Sequence, residues 1–114
     1  MMKRQMLAAL LVVFAVGCSG NGPTAAPPPP GPGEVAIQGF AFNPTPRSVS
    51  AGTTVTWINR DATSHTTTGG AGAETWDSGA LSENGTFSHT FTTPGSYQYA
   101  CMIHPGMQGT ITVN

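Results

Sequence analysis

From Glu34 onward, the chain alternates apolar and polar side chains over short runs that are separated by turn-forming residues. Alternation with a period of two is typical of β-strands, and no run here has the 3.6-residue period of an amphipathic helix. Residue pairs that restrict or free the backbone interrupt the runs at 43–44, 51–52 and 94–95, and a glycine-rich stretch does so at 69–72. The pattern predicts an all-β domain of seven to eight strands over residues 34–114, arranged as a Greek-key sandwich or barrel.

The candidate strands are 34–42, 47–50, 53–59, 65–68, a short piece near Trp76, 85–92, 96–101 and 109–113. Six large aromatic side chains are predicted to form the core: Phe40, Phe42, Trp57, Trp76, Phe87 and Phe91. Side chains two apart in a strand share a face, so Tyr97, Tyr99 and Cys101 should point inward together. Cys101 is therefore predicted to be the last inward-facing residue of its strand.

The N-terminal third of the chain has a different composition. Residues 1–17 combine two basic residues with an apolar run, which is typical of an export signal and too short to span a membrane. The sequence AVGC at 15–18 resembles the lipobox of bacterial lipoproteins and predicts a lipid on Cys18; ordinary cleavage that leaves Cys18 free is the alternative. Residues 18–33 are rich in proline and glycine and predict an extended tether. We expect an exported domain, in the periplasm or at the cell surface, that is lipid-anchored to a membrane.

Charge and motif content exclude some functions. After residue 33 two arginines stand against five acidic residues, so no basic patch is available to bind nucleic acid. A small reductase or hydrolase would need a reactive set such as Ser-His-acid or a second metal cluster, and neither stands out. We therefore expect a monomer that is not an enzyme.

Residues 100–109, ACMIHPGMQG, place Cys101, His104 and Met107 at intervals of three in a loop between two predicted strands. Thiolate, imidazole and thioether together suit copper that cycles between Cu(I) and Cu(II), because sulfur stabilises Cu(I) and imidazole keeps Cu(II) bound. The chain has two cysteines, so a lipid on Cys18 would leave Cys101 without a disulfide partner. Taken alone, Cys-x-x-His also occurs by chance and in zinc sites.

A second imidazole must come from His65 or His89, since the chain has three histidines. His65 follows the predicted strand 53–59 in a polar loop, from which a side chain can reach the end of the barrel. His89 lies within the predicted strand 85–92, where a packed or half-exposed histidine is more common than a ligand. We predict that one copper ion is held by a single set of residues: His65, Cys101, His104 and Met107.

Two segments resemble the cupredoxins, the small blue copper proteins, and are similar to plastocyanin and amicyanin. They are FAFNPTPRSVSAGTTVTWINRDATSHT and FSHTFTTPGSYQYACMIHPGMQGTITV. The resemblance implies that His65, Cys101 and His104 form a near-trigonal set with Met107 as a long axial ligand. Thr66 stands where the family often has asparagine, whose hydrogen bonds tie the two ligand loops together.

The resemblance also implies a surface and a function. The ring of His104 should lie near the surface, where electrons enter or leave, within an apolar docking rim formed in part by Met102, Ile103, Pro105 and Gly106. The implied function is that of a membrane-tethered one-electron carrier between a redox protein that donates and one that accepts. The alternative is a protein that stores or delivers copper outside the cytoplasm.

Overall fold

The structure is a computed structural model that describes residues 31–114, and the regular elements in this part of the chain are all strands. They are β1 Glu34–Ile37, β2 Phe42–Asn43, β3 Arg47–Val49, β4 Thr53–Asn59, β5 Thr68–Ala71, β6 Glu74–Asp77, β7 Thr86–Phe91, β8 Gly95–Ala100 and β9 Gln108–Val113. This confirms the all-β prediction. Residues 31–114 contain no helical segment that could span a lipid bilayer. The predicted export signal, Cys18 and most of the predicted tether lie outside the described residues.

The strands form two layers. One sheet has four strands in the order β2-β1-β4-β7, and the other has five in the order β3-β9-β8-β5-β6. Two neighbouring pairs, β1 with β4 and β3 with β9, are parallel, whereas the other pairs are antiparallel. Parallel neighbours cannot be joined by a tight hairpin, so the chain passes from one layer to the other between them.

The core lies between the layers and follows the predicted alternation. In β4, Val55 and Trp57 are fully buried, while Thr56 and Ile58 on either side of Trp57 are partly exposed. In β8, Tyr97 and Tyr99 are buried, and Cys101 follows directly with no exposed surface. Strand parity therefore predicted the inward direction of the cysteine correctly.

The first predicted strand, 34–42, is in fact two strands. The backbone at Gly39 and Phe40 has positive φ angles of 65° and 58°, which turns the chain between β1 and β2. As a result Phe40, predicted to be in the core, is 48% exposed. The other five aromatic residues of that prediction are buried or, for Phe87, partly buried against the core.

The glycine-rich run 69–72 was predicted as a loop, but it supplies most of β5. Gly69 lies so close to β8 that a Cβ atom there would be 2.5 Å from the Cα of Tyr99. Strand pairing at this distance requires glycine, so the residue type that suggested a loop permits a strand here. Of the predicted strand 65–68 only Thr68 lies in a strand, as the first residue of β5, and His65 forms an isolated bridge with Leu81.

Glu74 of β6 and His89 of β7 connect the edges of the two sheets. Nε2 of His89 lies 2.8 Å from Oε1 of Glu74, and the other carboxylate oxygen accepts the backbone N–H groups of Thr92 and Thr93 at 2.9 Å each. The hydrogen bond with His89 lowers the pKa of Glu74 most; burial opposes this and the two N–H groups assist, giving a pKa of about 2. We call this contact the edge clasp. It gives His89 a structural partner, so its position is explained without a role as a metal ligand.

Candidate metal centre

Three side chains converge at the end of the barrel where β4 and β8 terminate. The Nδ1 atoms of His65 and His104 are 3.2 Å apart, and they lie 3.8 and 3.7 Å from Sγ of Cys101. First-row metal ions such as zinc bind histidine nitrogen at about 2.0 Å and cysteine sulfur at about 2.3 Å. One ion can therefore contact all three atoms. The structure thus brings three of the four predicted ligands into one potential metal-binding group.

His65 is held by its backbone as well as by its side chain. Its N–H donates to the carbonyl of Leu81 at 3.1 Å, and its own carbonyl accepts the N–H of Leu81 at 2.7 Å. The side-chain amide of Asn59, at the end of β4, donates to the carbonyls of Thr63 and Leu81. These bonds fix the loop from β4, and the ring of His65 is completely buried.

The loop that carries the other predicted ligands is closed by two backbone hydrogen bonds. The N–H of Cys101 donates to the carbonyl of Met107 at 3.0 Å, and the N–H of Met107 donates to the carbonyl of His104 at 2.8 Å. Met107 is buried, whereas His104 is only partly buried. In this loop Cys101 therefore lies inside the domain and His104 lies near the surface.

The environment of Cys101 favours the thiolate. Burial opposes ionisation of the thiol, but the N–H of Thr66, 3.3 Å from Sγ, together with the imidazole and the backbone N–H of His104, outweighs it. The pKa of Cys101 is lowered to about 6. At neutral pH such a thiol is mostly thiolate, which is the form that binds metal ions.

Thr66 joins the two segments that carry the candidate ligands. Its hydroxyl accepts the N–H of Met102 at 2.8 Å and is paired with the hydroxyl of Thr68 at 2.9 Å, while its own N–H points at Cys101. The link that the family resemblance assigns to asparagine is therefore made by a threonine in this chain.

Replacing Thr66 by valine is expected to lower the free energy of unfolding of the metal-free protein by about 1 kcal/mol, because the N–H of Met102 loses its acceptor in a partly buried position. Thr66→Ser keeps the hydroxyl and serves as the control. Urea unfolding followed by tryptophan fluorescence measures the difference. Equal midpoints for the valine and serine variants would show that this hydrogen bond contributes nothing.

Two residues at the site were not predicted from the sequence. Oδ2 of Asp61 lies 2.9 Å from Nε2 of His65, and the ring of Phe40 lies 4.9 Å, centroid to centroid, from both imidazoles. Burial opposes ionisation of Asp61, but the N–H groups of Phe40 and Gly39 and the contact with His65 lower its pKa overall. The available signals were weak: Asp61 lies four residues before His65 in the same polar loop, and Gly39 is a turn-forming residue inside the predicted strand 34–42.

The surface around His104 is apolar. Met102 is 64% and Ile103 47% exposed, and Pro105 and Gly106 are exposed beside them. Phe40 adds a fifth apolar residue that the sequence had not placed there.

Comparisons with known proteins agree with this geometry. The profile of the copper-binding proteins of the plastocyanin/azurin family matches residues 33–114. Amicyanin-alpha of Methylorubrum extorquens is 38% identical over 88 residues, which cover 75% of this chain and 74% of the relative. Plastocyanin of Scenedesmus fuscus is 37% identical over 90 residues, which cover 65% of this chain and 87% of the relative.

Solved structures of copper proteins also align with this chain. A reduced tryptophan-to-tyrosine mutant of amicyanin aligns with a TM-score of 0.65 and 34% identity, covering 71% of this chain and 80% of that one. A copper-containing nitrite reductase from Thermus scotoductus aligns with a TM-score of 0.68 and 31% identity over 79% of this chain, but over only 23% of the reductase.

Proposed function

The chain belongs to the plastocyanin/azurin family of copper-binding proteins. We propose that it is a membrane-tethered blue copper protein that carries single electrons between redox proteins. The observation that supports this most is the convergence of His65 Nδ1, His104 Nδ1 and Cys101 Sγ at one end of the barrel. We propose these three residues as ligands, with Met107 as the weak fourth. Copper bound there supplies a one-electron couple between Cu(II) and Cu(I).

The protein's own groups keep the donor atoms in place before and after an electron arrives. The bridge to Leu81 holds His65, the backbone bonds with Met107 close the loop, and the N–H of Thr66 supports the thiolate. A site whose donors are positioned by a second layer of hydrogen bonds needs little rearrangement when its charge changes. This suits a carrier, which must gain and lose an electron quickly.

Burial favours electron transfer over copper delivery. His65 and Cys101 have no exposed surface, so exchange of the ion requires the site to open, whereas an electron can pass through the partly exposed His104. Likeness to the nitrite reductase extends over less than a quarter of that enzyme and therefore does not carry its activity over to this chain. We propose a carrier rather than an enzyme or a storage protein.

The proposed partners are a redox protein that donates and one that accepts an electron. The exposed apolar side chains of Met102, Ile103 and Phe40 surround His104 and would meet a partner in a small, short-lived interface. Lipid on Cys18 and an extended tether through residue 33 would hold the domain to the outer side of a membrane. This part of the proposal is supported by the sequence of residues 15–33 alone.

Electron self-exchange tests the carrier function directly. The chain from Gly31 onward, which contains every described strand, is loaded with copper, and mixtures of its Cu(I) and Cu(II) forms are followed by NMR line broadening. We expect fast exchange and slow loss of copper to a chelator. Slow exchange with rapid copper loss would contradict the carrier proposal and support copper delivery.

For the tether, mass spectrometry of the membrane fraction is expected to find a lipidated Cys18 in the unaltered protein and no lipidated protein in Cys18→Ser.

A further inference from the structure

Phe40 covers the metal-binding end of the barrel from outside. Its ring stands nearly perpendicular to both imidazoles, at 87° to His65 and 75° to His104. Such edge-to-face contacts are favourable for aromatic rings at these separations. Because the side chain is about half exposed and its backbone has a positive φ, core packing does not account for its position.

Asp61 holds this cover in place. Its Oδ1 accepts the N–H of Gly39 at 2.9 Å, and its Oδ2 accepts the N–H of Phe40 at 3.0 Å. The N–H of Asp61 itself donates to the side-chain carbonyl of Asn59 at 2.9 Å. The carboxylate is thus fixed just after β4 and binds the N–H groups of two adjacent residues in the turn between β1 and β2.

The same carboxylate contacts His65. Its Oδ2 lies 2.9 Å from Nε2 of that ring, while Nδ1 faces Cys101 and His104. A metal can bind Nδ1 only if the proton of the neutral ring is on Nε2. Since an ionised carboxylate can only accept, Asp61 favours the tautomer that leaves Nδ1 free.

We propose that Asp61 is a positioning residue of the copper site, which through one carboxylate selects the Nε2–H tautomer of His65 and fixes the Phe40 ring against both imidazoles. This inference rests on the proposed ligand set but concerns residues that do not touch the metal. A turn-stabilising aspartate with no further role would be expected to affect only the free energy of unfolding. A positioning residue should also affect which nitrogen of His65 carries the ring proton and how long bound copper stays in the site.

The first test uses the metal-free full chain and the ¹⁵N chemical shifts of its three histidine rings. In the unaltered protein His65 should be the Nε2–H tautomer, and in Asp61→Ala it should become a mixture. Glu83→Gln removes an exposed carboxylate elsewhere and should leave the His65 signals unchanged. An unchanged tautomer in Asp61→Ala would overturn the proposal without bearing on electron transfer.

The second test measures copper release from the loaded full chain to a chelator. Asp61→Ala is expected to release copper about 10- to 100-fold faster, because removing a hydrogen-bond partner of a ligating histidine typically lowers metal affinity by that factor and a weaker buried site loses its ion faster. Phe40→Leu should give a smaller acceleration and keep the His65 tautomer, whereas Phe87→Leu, which lacks imidazole contacts, should release copper at the unaltered rate. If Asp61→Ala proves unstable, Asp61→Leu, which has a similar size and no acceptor, is measured in the same way. Release within twofold of the unaltered protein would refute the positioning role, even if electron exchange is fast.

Discussion

Cys101→Ser is expected to abolish the strong visible absorption of the copper-loaded protein and to weaken copper binding more than about 100-fold. The lower bound follows because loss of a residue that only hydrogen-bonds to a ligand already lowers metal affinity by about 10- to 100-fold. Cys101 is fully buried and its pKa is about 6, so the thiolate is present at neutral pH before copper arrives. A serine hydroxyl in that position does not ionise and cannot replace it.

The exchange of sulfur for oxygen should leave the fold intact, because the N–H of Thr66 can donate to a hydroxyl as it does to Sγ. Cys18→Ser is the matched control, since it removes the other of the two cysteines. Visible and electron-spin-resonance spectra of both variants measure the effect. A visible band of full strength in Cys101→Ser would exclude Cys101 as the copper ligand. Loss of the band in Cys18→Ser would show that Cys18 binds the copper instead.

Glu74→Ala is expected to lower the free energy of unfolding of the metal-free protein by about 3 kcal/mol. Hydrogen bonds to a charged group typically contribute about 1.5–3 kcal/mol each, and the carboxylate of Glu74 is the hydrogen-bond partner of the partly exposed His89 ring. The N–H groups of Thr92 and Thr93 also lose their acceptor. Urea unfolding at pH 7 measures the change, with Glu83→Ala as an exposed control. A loss below about 1 kcal/mol would show that the edge clasp is not a major contributor.

The edge clasp also predicts how stability depends on pH. The pKa of Glu74 is about 2 in the folded chain and 4.5 without these contacts, so the unfolded chain takes up the proton first as the pH falls. The stabilisation is fully present above pH 4.5 and is lost as the pH falls to about 2. The unaltered protein should therefore lose more stability over this interval than Glu74→Gln does.

The sequence predicted the metal-binding loop well because its geometry is local. Cys101, His104 and Met107 lie within seven residues, and the period of β8 determines which way the first of them points. His65 could also be chosen, since few histidines were available and His89 fell within a strand. The assignment of all four as ligands remains a prediction that the spectra must test.

The features that the sequence did not predict depend on distant contacts. Phe40 and Asp61 are 21 residues apart and meet only because β1 and β4 are neighbours. The edge clasp joins residues on the borders of different sheets, and a period of two carries no information on which borders meet. Gly69 was misread for a related reason, since its lack of a side chain matters only beside Tyr99.

The parallel pairing of β1 with β4 has a consequence for how the anchored protein would stand on a membrane. Ile37 lies opposite Asn59, near the ligands, while the carbonyl of Gly33 accepts the N–H of Thr56, further back along β4. β1 thus begins beside the middle of β4 and runs towards the ligands. An anchor on the preceding segment would hold this entry point nearer to the membrane than the ligands, which lie about 10 Å further along β4, three residues at roughly 3.3 Å each, in addition to the reach of the tether. Proteins dissolved in the compartment, rather than ones lying flat in the bilayer, would then have the freest access to His104.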